Sequence, residues 1–277
     1  MNHRNHLLTT PRVIVVGLFV LGTACHHQRP SAAPRPEPRP APPPAAREVL
    51  TIRSAPTLLE AMHDRYADDW YHTVAFTQKT TLGLPSGGEI VQTWHESARL
   101  PGHLRIDTDL ASKAGVLYAR DSIFNFNDGK LTRAGAGANE LLVLGFDVYT
   151  QSPAKTEAVL RGLGFDLGTF HEGTWDGTPV YVVGAMRGDT VSKQFWIDKN
   201  RLLFVRMLEN GPQGHTDVRF SGYERAGGGW IATDVTQMVN GKRRIHEQYS
   251  NVRTNVELPD ALFDPKHWAA EARARPQ

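Results

Sequence analysis

The sequence predicts an α+β fold that is mainly β, built on one antiparallel sheet. Three observations carry this. Residues 169–252 read as strand after strand, with a turn signal between successive runs. Asp176-Gly177 and Asn240-Gly241 sit at two of these junctions. Such pairs tolerate the positive φ that tight hairpins require. No run between the turns is long enough for a helix and also carries a 3.6-residue period.

The elements follow in order. Residues 57–60, Thr57-Leu58-Leu59-Glu60, predict a capping box with Thr57 as N-cap and Glu60 at N3. Leu59, Met62, Tyr66 and Trp70 then form a helical stripe, so a helix is expected to about Tyr71. Five strands are predicted next, over residues 73–82, 89–99, 103–108, 115–120 and 122–127. Residues 135–166 interrupt the sheet: an apolar segment over 139–146, then a helix opened by Ser152-Pro153 with Ser as N-cap and Pro at N1. Its stripe is Thr156, Val159, Leu160 and Leu163, and the segment should lie across the apolar face of the sheet. Six strands complete the domain, over 178–186, 190–198, 202–209, 216–224, 230–239 and 242–252. Leu258, Leu262 and Phe263 should plug an open end, and residues 269–277 read as a disordered tail.

The faces of the strands bear on function. Val218 and Phe220 alternate with Asp217, Arg219 and Ser221, which leaves one face wet. Val180 and Val182 oppose Tyr181 and Val183, so that strand is apolar on both faces, as is 202–209. An antiparallel sheet needs only one apolar face. Either protein or a ligand should cover the second.

Ahead of the domain, His3, Arg4, His6 and Arg12 flank an apolar run over residues 13–24, shorter than the ~20 residues of a spanning helix. The run reads as an export signal. Leu21-Gly22-Thr23-Ala24-Cys25 resembles a bacterial lipobox, which implies a signal peptide over 1–24 and a lipid on Cys25. The alternative is a secreted protein cut after Ala24. Cys25 is the single cysteine, so the chain has no disulfide framework and no paired-cysteine metal or redox site. His26, rather than Asp, follows it; by the same resemblance this implies transport to the outer membrane. The Pro-rich stretch within 25–53 favours polyproline II and reads as a tether.

The domain over 54–268 carries three further groups of motifs. Pro101-Gly102-His103-Leu104-Arg105 is followed by Tyr118-Ala119-Arg120-Asp121 and by Asn127-Asp128-Gly129-Lys130. Trp196-Ile197-Asp198 and Gly228-Gly229-Trp230-Ile231 come later. Asn255-Val256-Glu257-Leu258-Pro259-Asp260 and Phe263-Asp264-Pro265 close the series. In this order, behind a lipobox and tether, they resemble the LolA/LolB-like superfamily of periplasmic and outer-membrane lipoprotein carriers. The resemblance implies an eleven-stranded half-barrel closed by short helices over an apolar cavity. It also implies a lipid or acylated protein as ligand. The lipid anchor is similar to LolB; the long tether departs from it. Lining residues expected partly by resemblance are Phe76, Trp94, Leu104, Tyr118, Phe195, Phe204 and Met207, each of which also suits a sealed core.

Catalytic motifs are missing from the sequence. The histidines, such as His63, His95, His171 and His246, are scattered, with no His-Glu-x-x-His. No Gly-x-Ser-x-Gly elbow, P-loop or dinucleotide fingerprint occurs. The formal charge of +2 points to no nucleic-acid partner. Lys242-Arg243-Arg244 at a hairpin tip suits either anionic head groups or a solvated tip that discourages edge pairing. Arg105, on the face opposite Leu104 and Ile106, either ties the sheet to a covering segment or is exposed. No cofactor or metal is expected. Two functions remain: a carrier or receptor for acyl chains, and an envelope sensor or interaction protein on the same fold.

Overall fold

A computed structural model describes residues 51–271. The signal peptide, Cys25 and most of the tether lie outside the described residues, as do the last six residues of the predicted tail.

Helix α1 (Ala55–Tyr66) is capped one turn earlier than the sequence suggests. Ser54 is the N-cap: its Oγ accepts from the Thr57 N–H at 3.4 Å, and its own N–H donates to Thr57 Oγ1 at 3.1 Å. Thr57 is thus the N3 partner of the box, and Pro56 occupies the first turn, where a missing N–H is harmless. The helix also ends sooner, at Tyr66, and Trp70 is buried from the loop that follows.

Six strands come next: β1 (Thr73–Gly83), β2 (Glu89–Arg99), β3 (His103–Asp109), β4 (Ala114–Ala119), β5 (Ser122–Asn127) and β6 (Lys130–Ala136). The helical insert holds α2 (Glu140–Gly145), a 3-10 turn (Asp147–Tyr149) and α3 (Pro153–Gly162). Seven strands follow: β7 (Phe170–Trp175), β8 (Thr178–Val183), β9 (Gln194–Asp198), β10 (Leu203–Gly211), β11 (Gly214–Ala226), β12 (Gly229–Val239) and β13 (Lys242–Thr254). All thirteen form one antiparallel sheet, in which β1 pairs β13 and joins the two meanders. The two strands beyond the expected eleven are the edges, β6 and β7. Every residue of β6 is exposed, so it has no hydrophobic alternation to announce it. Strand β7 carries Gly173 and shows little alternation.

The main core lies between one face of the sheet and the helices. Leu58, Leu59 and Met62 of α1 and Leu142, Val143 and Leu144 of α2 pack with Val74, Phe76, Val183, Phe195, Phe204 and Phe220 of the sheet. Trp70 stacks on Tyr149 with ring centroids 3.9 Å apart, and Tyr66 meets Tyr149 edge-on at 5.4 Å. Gly229 makes room for this stack: a Cβ there would lie 2.5 Å from the Trp70 ring.

The doubly apolar strands are covered on their second face by the protein itself. Val180, Val182 and Val205 form a small outer cluster beneath Trp175 and Trp196. The Arg206 guanidinium lies 3.8 Å from the Trp175 ring centroid and 4.6 Å from that of Trp196. Two hydrogen bonds of 2.8 Å tie Arg206 to Asp217, which Arg219 also contacts at 2.7 Å. Burial works to raise the Asp217 pKa, but the hydrogen bonds from Arg206 and Arg219 prevail and hold it below the usual carboxylate range.

The C-terminal segment also covers the outer face, instead of plugging an end. Leu258, Leu262, Phe263 and Trp268 pack on Leu117 and Phe126. Phe126 stacks on Trp268 at 4.3 Å, and residues 268–271 form a short helix, α4 (Trp268–Glu271), where a loose tail was expected. Arg105 is the tie on this side, fully buried and bonded to the Trp268 carbonyl at 3.0 Å.

Candidate functional site

The helical insert stands over the sheet with open space on both sides of α2. Asn139 fixes its start: Oδ1 accepts from the N–H groups of Leu141 at 2.9 Å and Leu142 at 3.0 Å. The helix is short and apolar, so its neighbours hold it more than its own propensity does.

On one side is a cavity of about 80 Å³. The sheet supplies Phe76, Leu104 and Phe220, and the insert supplies Leu141, Leu142 and Phe146. Glu96 and Glu247 are the carboxylates in this wall. Tyr249 stacks on Phe76 at 4.3 Å, and its hydroxyl donates to Glu247 at 3.0 Å. Burial pushes the Glu247 carboxyl up to about 7, with the Tyr249 bond opposing. Burial also raises Glu96 well above the carboxylate range, and the neighbouring Glu247 adds to this.

On the other side is a cleft of about 480 Å³, within the range of small-molecule sites. Pro101, His103 and Arg120 line it from the sheet; Val143, Asp147, Gln151, Lys155 and Val159 line it from the insert. Asp147 Oδ1 accepts from the Gly102 N–H at 3.0 Å. Burial pushes Asp147 up to about 7 against that bond. Gln151 Nε2 is buried without a partner.

The expected lining residues separate into four groups. Phe76 and Leu104 line the smaller cavity. Tyr118 packs at the margin of the core, beside Asn139. Trp94 is half-buried, its indole N–H donating to Gln92 at 2.9 Å. Phe195, Phe204 and Met207 belong to the packed core: Phe195 meets Phe165 edge-on at 5.4 Å and Phe204 meets Phe220 at 4.8 Å. A register shift between Phe204 and Arg206 puts Phe204 and Met207 in the same core, where strict alternation would separate them. Sequence reasoning passed over Glu96, Glu247, Asp147 and Gln151. A signal for the first two was available: each glutamate falls on the strand face that also carries aromatic or apolar neighbours, Phe76 and Tyr249 among them.

Among the described residues no group of three or more His, Cys, Asp or Glu is placed to hold a metal ion. No helix among them is long and apolar enough to cross a membrane.

No family model and no curated protein matches the chain. Solved structures do. A DUF1329-family protein from Desulfovibrio piger superposes with a TM-score of 0.51 and 16% identity, over 76% of this chain and 95% of that one. A putative outer-membrane lipoprotein-sorting protein domain from Vibrio parahaemolyticus gives 0.53 and 10% identity, over 77% and 97%. A LolA-superfamily protein from Nitrosomonas europaea gives 0.46 and 14% identity, over 77% and 98%. With its open antiparallel sheet and the short helices laid on one face, the chain has the LolA-like fold.

Proposed function

We propose that this protein is a non-catalytic carrier or receptor that shelters an apolar ligand, such as an acyl chain or an acylated protein, between its sheet and its helical insert. The observation that supports this is the open space flanking α2, set beside a sheet that is otherwise packed on that face. The name of the Vibrio structure, a lipoprotein-sorting domain, agrees with a ligand of this class. We further propose a lipid anchor on Cys25 that holds the domain, through its Pro-rich tether, at the periplasmic side of the outer membrane. Mild purification of the full chain from membranes, followed by native mass spectrometry, tests both points. Additional mass that partitions into organic solvent supports the carrier. A Cys25→Ser variant found in the soluble fraction supports the anchor. A chain of bare polypeptide mass, with the variant still in membranes, sinks the two together.

The alternative, an envelope sensor or interaction protein, is favoured by the free edge of β6, whose seven residues are all exposed. An open edge accepts an added strand from a partner. Co-purification of an envelope protein with an empty cavity, lost on placing Pro within β6, favours that reading.

A further inference from the structure

The smaller cavity sets two carboxyl groups in an otherwise largely apolar wall. Glu96 is 8% exposed and lines the cavity together with Glu247. Isolated buried carboxyl groups are costly, and native structures normally pair them. Its polar neighbours are a second carboxyl group and an amide. Glu247 is on β13 and receives bonds from Tyr249 and Gln78. Gln78, fully buried on β1 between these strands, donates to Thr80 at 2.8 Å, and its Oε1 is left without a partner. No Lys, Arg or His lines this cavity. Phe76, Phe220 and Tyr249 provide aromatic surface in the same wall. The set therefore holds carboxyl groups and π faces, and lacks a cation.

We propose that the cavity takes the protonated amine of an amphiphile, with the ammonium on Glu96 and Glu247 and the first carbons of its chain among Phe76, Leu104 and Phe220. An ammonium offers three donors and no acceptor, which suits the carboxyl oxygens of Glu96 and Glu247 in this wall. It also suits aromatic walls through cation–π attraction. A fatty-acid carboxylate would meet two carboxyl groups and no cation, so the cavity selects against it. The volume of about 80 Å³ admits only the head and the carbons next to it; a longer chain must lead out past α2. The burial that raises both carboxyl pKa values is what a bound cation would relieve.

This rests on the apolar-ligand reading and adds the charge of the ligand to it. The test titrates the full chain at pH 7.5 with n-hexylamine, 1-hexanol and hexanoic acid, which share a chain and differ in the head. Binding is read by calorimetry and by the shift in Tm. The amine should bind at least tenfold more tightly than the alcohol, and the acid least. Glu96→Gln, of the same shape without the charge, should lose the amine's advantage and keep the alcohol. Glu247→Gln provides a second variant should the first fail to fold by circular dichroism. Alcohol and amine binding equally, or the acid binding best, overturns the ammonium assignment and leaves the apolar-ligand reading standing. No binding of any of the three overturns both.

Discussion

Arg105 and Asp107 lie two residues apart on β3 and form a bidentate pair, at 2.9 and 3.0 Å, sealed beneath the C-terminal segment. The Arg105 guanidinium also sits 3.8 Å from the Trp268 ring centroid. Removing one charge strands the other. Asp107→Ala should therefore lower the unfolding free energy by about 3–5 kcal/mol, whereas the double change Arg105→Met, Asp107→Leu should cost less than that single substitution. Urea denaturation of the three proteins checks this ordering.

The close approach of Gly229 to Trp70 makes a second prediction. A methyl group 2.5 Å from the indole forces the aromatic stack to shift. Gly229→Ala should cost about 1–3 kcal/mol, as overpacked sites do. The loss should shrink when Trp70 is replaced by Leu, which a double-mutant cycle measures.

The buried, proton-holding carboxyl groups should contribute stability that falls as pH rises from about 4 to slightly alkaline. Asp217, held low by Arg206 and Arg219, instead loses its contribution only as pH falls into the acid range. Unfolded Asp147 ionises near its ordinary 3.8, and the folded residue near 7. Between these values the folded state holds the extra proton. Its contribution is complete below about pH 4 and is lost as pH rises through about 7. Glu247 and Glu96 act in the same direction. His103, in the same cleft, is lowered by burial and acts in the opposite sense below its ordinary 6.5. Asp147→Asn keeps an acceptor for the Gly102 N–H. It should be more stable than the parent at pH 8 by roughly 1–3 kcal/mol, and no more stable at pH 4. Thermal melts across that range provide the comparison.

The insert should open more readily than the sheet. Helices α2 and α3 are short, and part of α3 is exposed. Amide exchange over residues 139–163 should be faster than over β10 to β12. Equal protection would remove the mobile element through which a ligand enters.

Much of this architecture was legible in the chain. Asp176-Gly177 and Asn240-Gly241 are hairpin turns, with Asp176, Gly177, Asn240 and Gly241 all at positive φ. Val218 and Phe220 face the core while Asp217 and Arg219 lie on the other side, as their alternation implies. The failures have physical causes. An edge strand such as β6 has no face to bury, so hydrophobic period cannot find it. Val180 and Val182 suggested surplus apolar surface, because one sequence does not show that Trp175, Trp196 and Arg206 converge from other strands. The same limit hid the site: Glu96 and Glu247 are far apart in sequence and meet only through the pairing of β2, β1 and β13.

The central claim is that an apolar ligand lies between the sheet and the insert. The most direct test is a fluorescence titration of the full chain with N-phenyl-1-naphthylamine, a neutral apolar probe. It compares the parent with Leu104→Trp, which fills the smaller cavity, and Val143→Trp, which narrows the cleft. The account predicts saturable enhancement with the parent and at least tenfold weaker binding in one or both variants, with folding retained. No saturable signal from the parent, or the same affinity in all three proteins, would contradict it.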